Sequence, residues 1–165
     1  ATPRPTMRAW SVLRTGIAAS RLSQRPASNF SRAFSIQQAL RNRLAFDCAV
    51  VDKPAPHKQS TEDAWFVVKP SERPHLSAVG VADGVGGWAS QGVDSGLYSK
   101  MLMAHAKDRL LSAPAPCPQD SLAFAHAMTR VLGSTTACMV TLDGSDKLHT
   151  INLGDSGFLI ARVGE

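Results

Sequence analysis

The sequence predicts an α+β fold in which antiparallel strands are covered by helices. Three observations point there. Short apolar and β-branched runs recur at residues 64–68, 77–82, 135–142, 148–153 and 158–162, each of strand length. Two segments between the second and third runs carry apolar residues at helical spacing. The last three runs are joined by short connections, which suit hairpins and leave no room for a parallel crossover.

Taken in order, the folded part starts near Leu44. AWFVV (64–68) is a strand bounded by Lys69-Pro70, and SAVGVA (77–82) is a second strand that runs into ADGVGGW. From about Ser95 a helix is expected, with Leu97, Met101, Leu102, Ala104, His105 and Leu111 as its apolar stripe. APAPCP (113–118) is a proline-punctuated loop. Asp120 can N-cap a second helix, with Leu122, Ala125, Met128 and Val131 facing the core and Gly133 ending it. TTACMVTL (135–142) is a strand, and Asp143-Gly144 turns it into LHTINL (148–153). GDSG then leads into FLIAR (158–162), a fifth strand.

The 165 residues suffice for one domain with a core. No apolar run approaches the ~20 residues of a membrane-spanning helix. The charge is unevenly placed. Residues 1–46 hold eight arginines and no acid, so a net +5 splits into +8 there and −3 over the remainder. That distribution removes the case for a basic nucleic-acid-binding face on the folded domain. It matches an Arg- and Ser-rich, acid-free targeting leader over residues 1–43, in which Trp10, Leu13 and Ile17 recur at helical spacing. A basic arm that binds acidic partners has the same composition. Cys48, Cys117 and Cys138 are odd in number and lack metal-ligand spacing. A reducing compartment suits them, and Cys138 reads as a small buried hydrophobe.

The chemistry concentrates in VGVADGVGGWASQG, residues 79–92. Three readings compete. Gly84 to Ala89 matches the dinucleotide pattern G-x-G-x-x-G/A, but Asp83 would set a negative charge beside a pyrophosphate, and a helix start within GGWASQG is not expected. A tight turn that uses glycines for positive φ is the second. It leaves an aspartate at the end of a buried strand without compensation. The third is a hard divalent cation, which takes carboxylate and carbonyl oxygens. Asp83 would supply a carboxylate and Gly84 a carbonyl. If strands 64–68 and 77–82 pair, Glu62-Asp63 arrives beside Asp83, and alternation aims the two acids in different directions.

Glu62-Asp63, Val81-Ala82-Asp83-Gly84-Val85-Gly86-Gly87-Trp88, Ser134-Thr135-Thr136-Ala137-Cys138 and Asn152-Leu153-Gly154-Asp155-Ser156-Gly157 resemble, in order, the motifs of the metal-dependent type 2C serine/threonine protein phosphatases. ADGVGGW with GDSGF is similar to the mitochondrial branch of that family. The resemblance covers residues 44–165 and implies an antiparallel β-sandwich flanked by helices, an αββα arrangement. It further implies a two-ion Mg²⁺ or Mn²⁺ centre. Asp83 would bridge the ions, Glu62 and the Gly84 carbonyl would bind one of them, and Asp63 would act through water. Asp155 would support the site. The implied activity is hydrolysis of phosphoserine or phosphothreonine in proteins by a metal-activated water, in mitochondria, within the matrix, with no nucleic-acid partner.

Two departures from the family stand out. Val85 replaces a usual histidine and cannot donate a proton. The arginine that often precedes the acidic pair is absent, and Lys58 is the nearest basic residue to hold a substrate phosphate. Further metal-binding aspartates expected downstream are also missing before Glu165, so a truncated chain, nearly inactive alone, is expected. The alternative is a catalytically dead product or interaction module. A nucleotide-dependent oxidoreductase is the third candidate.

Overall fold

A computed structural model describes residues 44, 46–54 and 60–161. The expected leader, residues 1–43, lies outside them. The described chain runs β1 (Asp63–Val68), β2 (Ser77–Asp83), a short 3-10 helix (Gly86–Gln91), α1 (Ser95–Ser112), α2 (Pro118–Met128), β3 (Ala137–Leu142) and β4 (Leu148–Leu153). The strands form one antiparallel sheet in the order β1-β2-β3-β4, so the expected α+β class with antiparallel pairing holds.

Period-two alternation divides the sheet into two faces. Ala64, Phe66, Val68, Ala78, Ala82, Ala137 and Met139 are buried against Leu102, Met103, Ala106 and Leu110 of α1 and Leu122 and Ala125 of α2. Met103, Leu110 and Met139 are at most 1% exposed, and each such burial contributes about 1.5–3 kcal/mol. Gly80 has no side chain because the Phe66 ring lies where its Cβ would be. The opposite face carries Trp65, Val81, Cys138 and Val140. Residues 48–50 and Phe158 border a crevice over its middle. Cys138 is buried, as expected.

The helices depart from expectation in their facing and ends. Leu97 is 46% exposed, and Met101, Ala104, His105 and Leu111 are not fully buried. The buried face of α1 is instead Ser95, Gly96, Tyr98, Ser99, Leu102, Met103, Ala106 and Leu110. Its first turn packs against the backbone at Thr61 and Glu62, where only small side chains fit, so the inward face begins polar and the apolar count points about one residue away. Asp94 caps α1 by accepting the Gly96 N–H at 2.9 Å. Arg73, in the β1–β2 connection, closes its other end by donating to the Leu110, Leu111 and Ala113 carbonyls at 2.5–2.9 Å.

Asp120 does not cap α2. Cys117 holds the N-cap position, Pro118 opens the helix, and Asp120 lies in its first turn. The helix stops at Met128, ahead of Gly133, where Thr129 turns to extended backbone at ψ 108° and donates both its N–H and its hydroxyl to the Ala125 carbonyl. Met128 is 44% exposed, and Val131 is only partly buried, packed against the core. The β3–β4 hairpin turns at Asp143-Gly144 as expected, but the left-handed residue is Asp146 at φ 60°. Asp143 organises the turn by accepting from the Ser145 and Lys147 N–H groups and pairing with His149. Residues 158–161 form no strand, contrary to expectation. Phe158, Leu159 and Ile160 are 43–71% exposed, and no strand among the described residues offers them a ladder.

Candidate metal centre

The β1–β2 register sets Asp63 directly opposite Asp83 at the end of the sheet. Both side chains fall on the face away from the helices by alternation. Like charges in a cross-strand pair repel, and the effect is visible on Asp83. Its carboxyl is pushed up to about 6, first by burial, then by the Asp63 charge and a hydrogen bond shared with Asp63, then by Asp155 and Glu62. A bond between two carboxyls requires one of them to hold the proton. Three acids, Glu62, Asp63 and Asp155, thus act on the Asp83 carboxyl.

Local hydrogen bonds fix Glu62, Asp63 and Asp83. The Glu62 carbonyl accepts the Gly84 N–H at 3.3 Å and the Ser99 hydroxyl at 2.5 Å, joining β1, the glycine turn and α1. The Glu62 carboxylate lies over the turn, its Oε2 within 2.9 Å of where a Gly86 Cβ would stand. The Thr61 hydroxyl accepts the Asp63 N–H at 3.0 Å. Asp83 is held twice by one residue: its N–H donates to Thr136 Oγ1 at 3.1 Å, and its carbonyl accepts the Thr136 N–H at 3.0 Å.

Gly84 and Gly86 serve close approach. None of Gly84, Gly86 and Gly87 has a positive φ, which corrects the expectation of a left-handed turn. A Cβ on Gly84 would strike the Glu62 and Ser95 carbonyl oxygens at 2.7 and 2.9 Å. A helix does start within GGWASQG, as one 3-10 segment ended by Gly92 at φ 73°. Trp88 anchors it by donating from its indole nitrogen to Ser134 Oγ at 2.7 Å. Val85, 44% exposed, precedes it and offers no titratable group.

The structure thus brings together Glu62, Asp63, Asp83, Gly84 and Asp155. Lys58 lies outside the described residues. Among the described residues, no group of three or more His, Cys, Asp or Glu side chains is placed to hold a metal ion. The acids are near enough to perturb Asp83 without converging on one point. Sequence reasoning missed the holding contacts of Ser99 and Thr136. Their signal was a serine on the inward side of α1 and a hydroxyl beside Ala137 at the head of β3.

No protein-family model matches the chain. Curated relatives do. The chain is 44% identical over 115 residues to the probable protein phosphatase 2C 55 of Arabidopsis thaliana, covering 67% of this chain and 23% of that protein. It is 45% identical over 115 residues to the protein phosphatase PTC7 homolog fig of Drosophila grimshawi, covering 63% and 36%. The solved structure of the photosystem II phosphatase PBCP superposes with a TM-score of 0.52 at 37% identity, over 57% of this chain and 36% of that one. The chain spans about a quarter to a third of the length of these relatives. A shared antiparallel fold and identities of 37–45% agree, and the residues so matched are similar to the corresponding part of the protein phosphatases 2C.

Proposed function

We propose that this chain contributes residues 44–165 to the catalytic domain of a metal-dependent protein serine/threonine phosphatase of mitochondria. The observation that carries the proposal is the cross-strand pair Asp63–Asp83, with Glu62 and Asp155 acting on the same carboxyl. Such a donor set, carboxylates beside a bare glycine backbone, has the chemistry that Mg²⁺ and Mn²⁺ prefer. Asp83 would bridge two ions. Glu62 and the Gly84 carbonyl would hold one of them, Asp63 would contribute through water, and Asp155 would support the edge. When bound, the ions supply an activated water and offset charge on the phosphoryl oxygens.

The chain's own residues do the rest. Thr136 holds the Asp83 backbone through both its N–H and its carbonyl, which fixes where the side chain leaves the strand end. Val85 has no proton to give, so the leaving serine or threonine oxygen takes its proton from solvent water, which reaches this exposed position. The names of the relatives support phosphoproteins as substrates. The acid-free basic segment ahead of the domain supports residues 1–43 as a mitochondrial leader that ends in the matrix. No helix among the described residues is long and apolar enough to cross a membrane.

The test pairs binding with turnover. Mn²⁺ titrated calorimetrically into the protein should bind, with affinity at least tenfold weaker in Asp83→Asn. Hydrolysis of p-nitrophenyl phosphate by this chain alone should be slight, and what there is should vanish with EDTA. Mn²⁺ binding unchanged in Asp83→Asn, or turnover that survives EDTA, would refute the proposal.

A further inference from the structure

One side chain touches both the Asp83 strand end and the Asp155 loop. Thr136, just before β3, receives the Asp83 N–H on Oγ1 at 3.1 Å. The same oxygen lies 2.5 Å from the Ser156 hydroxyl. Its methyl is also in use: Gly154, at φ 88°, has no Cβ because Thr136 Cγ2 stands 2.9 Å from that position. The GDS turn, residues 154–156, is therefore folded against a single threonine, by its methyl at Gly154 and by its hydroxyl at Ser156. Asp155 lies between these two contacts, and its charge is felt at Asp83.

We infer that Thr136 and Ser156 are positioning residues that bind the Asp83 strand end and the Asp155 loop into one metal-binding edge. The inference rests on the phosphatase reading for the identity of the ligand. Neither hydroxyl touches an ion or a substrate in this assignment. Each acts through the backbone that carries an acid, Thr136 through the Asp83 N–H and Ser156 through the turn that bears Asp155. The pair explains the residue type at 136. Valine would keep the contact with Gly154 and lose both hydrogen bonds, whereas serine would keep the hydrogen bonds and lose the methyl contact.

The experiment is Mn²⁺ affinity by calorimetry on the intact chain, with a thermal melt of each variant in parallel. Thr136→Val and Ser156→Ala should each weaken Mn²⁺ binding about tenfold, the usual effect of removing an outer-shell partner of a ligand. Thr136→Ser should stay within about threefold of wild type by the same reasoning. The double variant Thr136→Val/Ser156→Ala should be little worse than either single change, because one bond is shared. A loss of fold alone would track the melting temperature and would not be rescued by serine. If Thr136→Val does not fold, Ser156→Ala, at a partly exposed position, decides the matter. Wild-type affinity in folded Thr136→Val, or in Ser156→Ala, would overturn the inference and leave the phosphatase reading intact. A wild-type chain that binds no Mn²⁺ would overturn both.

Discussion

Gly84→Ala separates close approach from conformational freedom in the glycine turn. A Cβ at this position would stand 2.7 Å from the Glu62 carbonyl oxygen and 2.9 Å from that of Ser95, well inside the ~3.5 Å of a comfortable contact. Both obstacles are backbone. One leads into β1 and the other belongs to the first turn of α1, so relief requires prising the helix from the sheet. Overpacking costs about 1–3 kcal/mol, and two rigid obstacles place this change near 3 kcal/mol. Gly87 is the internal control. Nothing lies within 4 Å of its absent Cβ, and its φ is ordinary. Alanine there restricts the unfolded chain and should be neutral or stabilising by about 0.4–1 kcal/mol. The two changes should therefore differ by roughly 3–4 kcal/mol. Urea unfolding at unchanged m-value measures the difference. In thermal melts Gly84→Ala should fall by about 12–24 °C, at ~4–8 °C per kcal/mol for a domain of this size. Gly84→Ala within ~0.5 kcal/mol of wild type, the range of an inconsequential surface change, would refute the reasoning. So would Gly87→Ala costing as much as Gly84→Ala.

Two further outcomes follow from contacts outside the turn. Arg73→Ala removes the guanidinium that closes the C-terminal end of α1 and should cost about 2–3 kcal/mol in urea unfolding. Arg73→Lys should recover less than half, because an ammonium cannot span three carbonyls, and a loss below ~0.5 kcal/mol for alanine would count against the clamp. Asp83 titrates higher in the folded chain, at about 6, than its ordinary 3.8. The folded state thus holds this proton more tightly, so its stabilisation is fully present below about pH 4 and lost as pH rises through 6. In EDTA, Asp83→Asn should therefore melt above wild type at pH 7.5 and close to it at pH 4. The gap is about 1 kcal/mol after allowance for solvent screening, and a gap that grows toward low pH would reverse the sign.

The strands were legible because their signal is local. β1, β2 and β4 were placed within a residue or so from β-branched, apolar runs bounded by turn residues. FLIAR carried the same composition without forming a strand over residues 158–161, since pairing is a property of two segments and composition reports only one. The facing of α1 was misread for a related reason. Ser95, Gly96 and Ser99 point inward because the helix must approach Glu62 closely, and hydrophobicity does not register closeness. At the site, the acids themselves were legible as strand-end carboxylates. Their grouping around Asp83 depended on pairing β1 with β2, which the sequence allowed but did not compel. The arrival of Asp155 depended on one threonine hydroxyl and one serine hydroxyl, which no periodicity marks.

The register of β1 on β2 has an evolutionary consequence. A slip by one residue would turn the inward side chains of β1 outward and would be rejected by the core. A slip by two would keep every apolar residue on its proper face. It would nonetheless carry Asp63 about 6–7 Å past Asp83, at ~3.3 Å per residue. It would also set the Phe66 ring against Ala78 or Ala82 in place of the bare Gly80, so the fold itself resists a change that dismantles the acidic cluster. Descendants that drift in this register would need a compensating change at the Phe66–Gly80 contact, and would be recognisable by a two-residue offset between the Glu-Asp pair and the Asp-Gly turn.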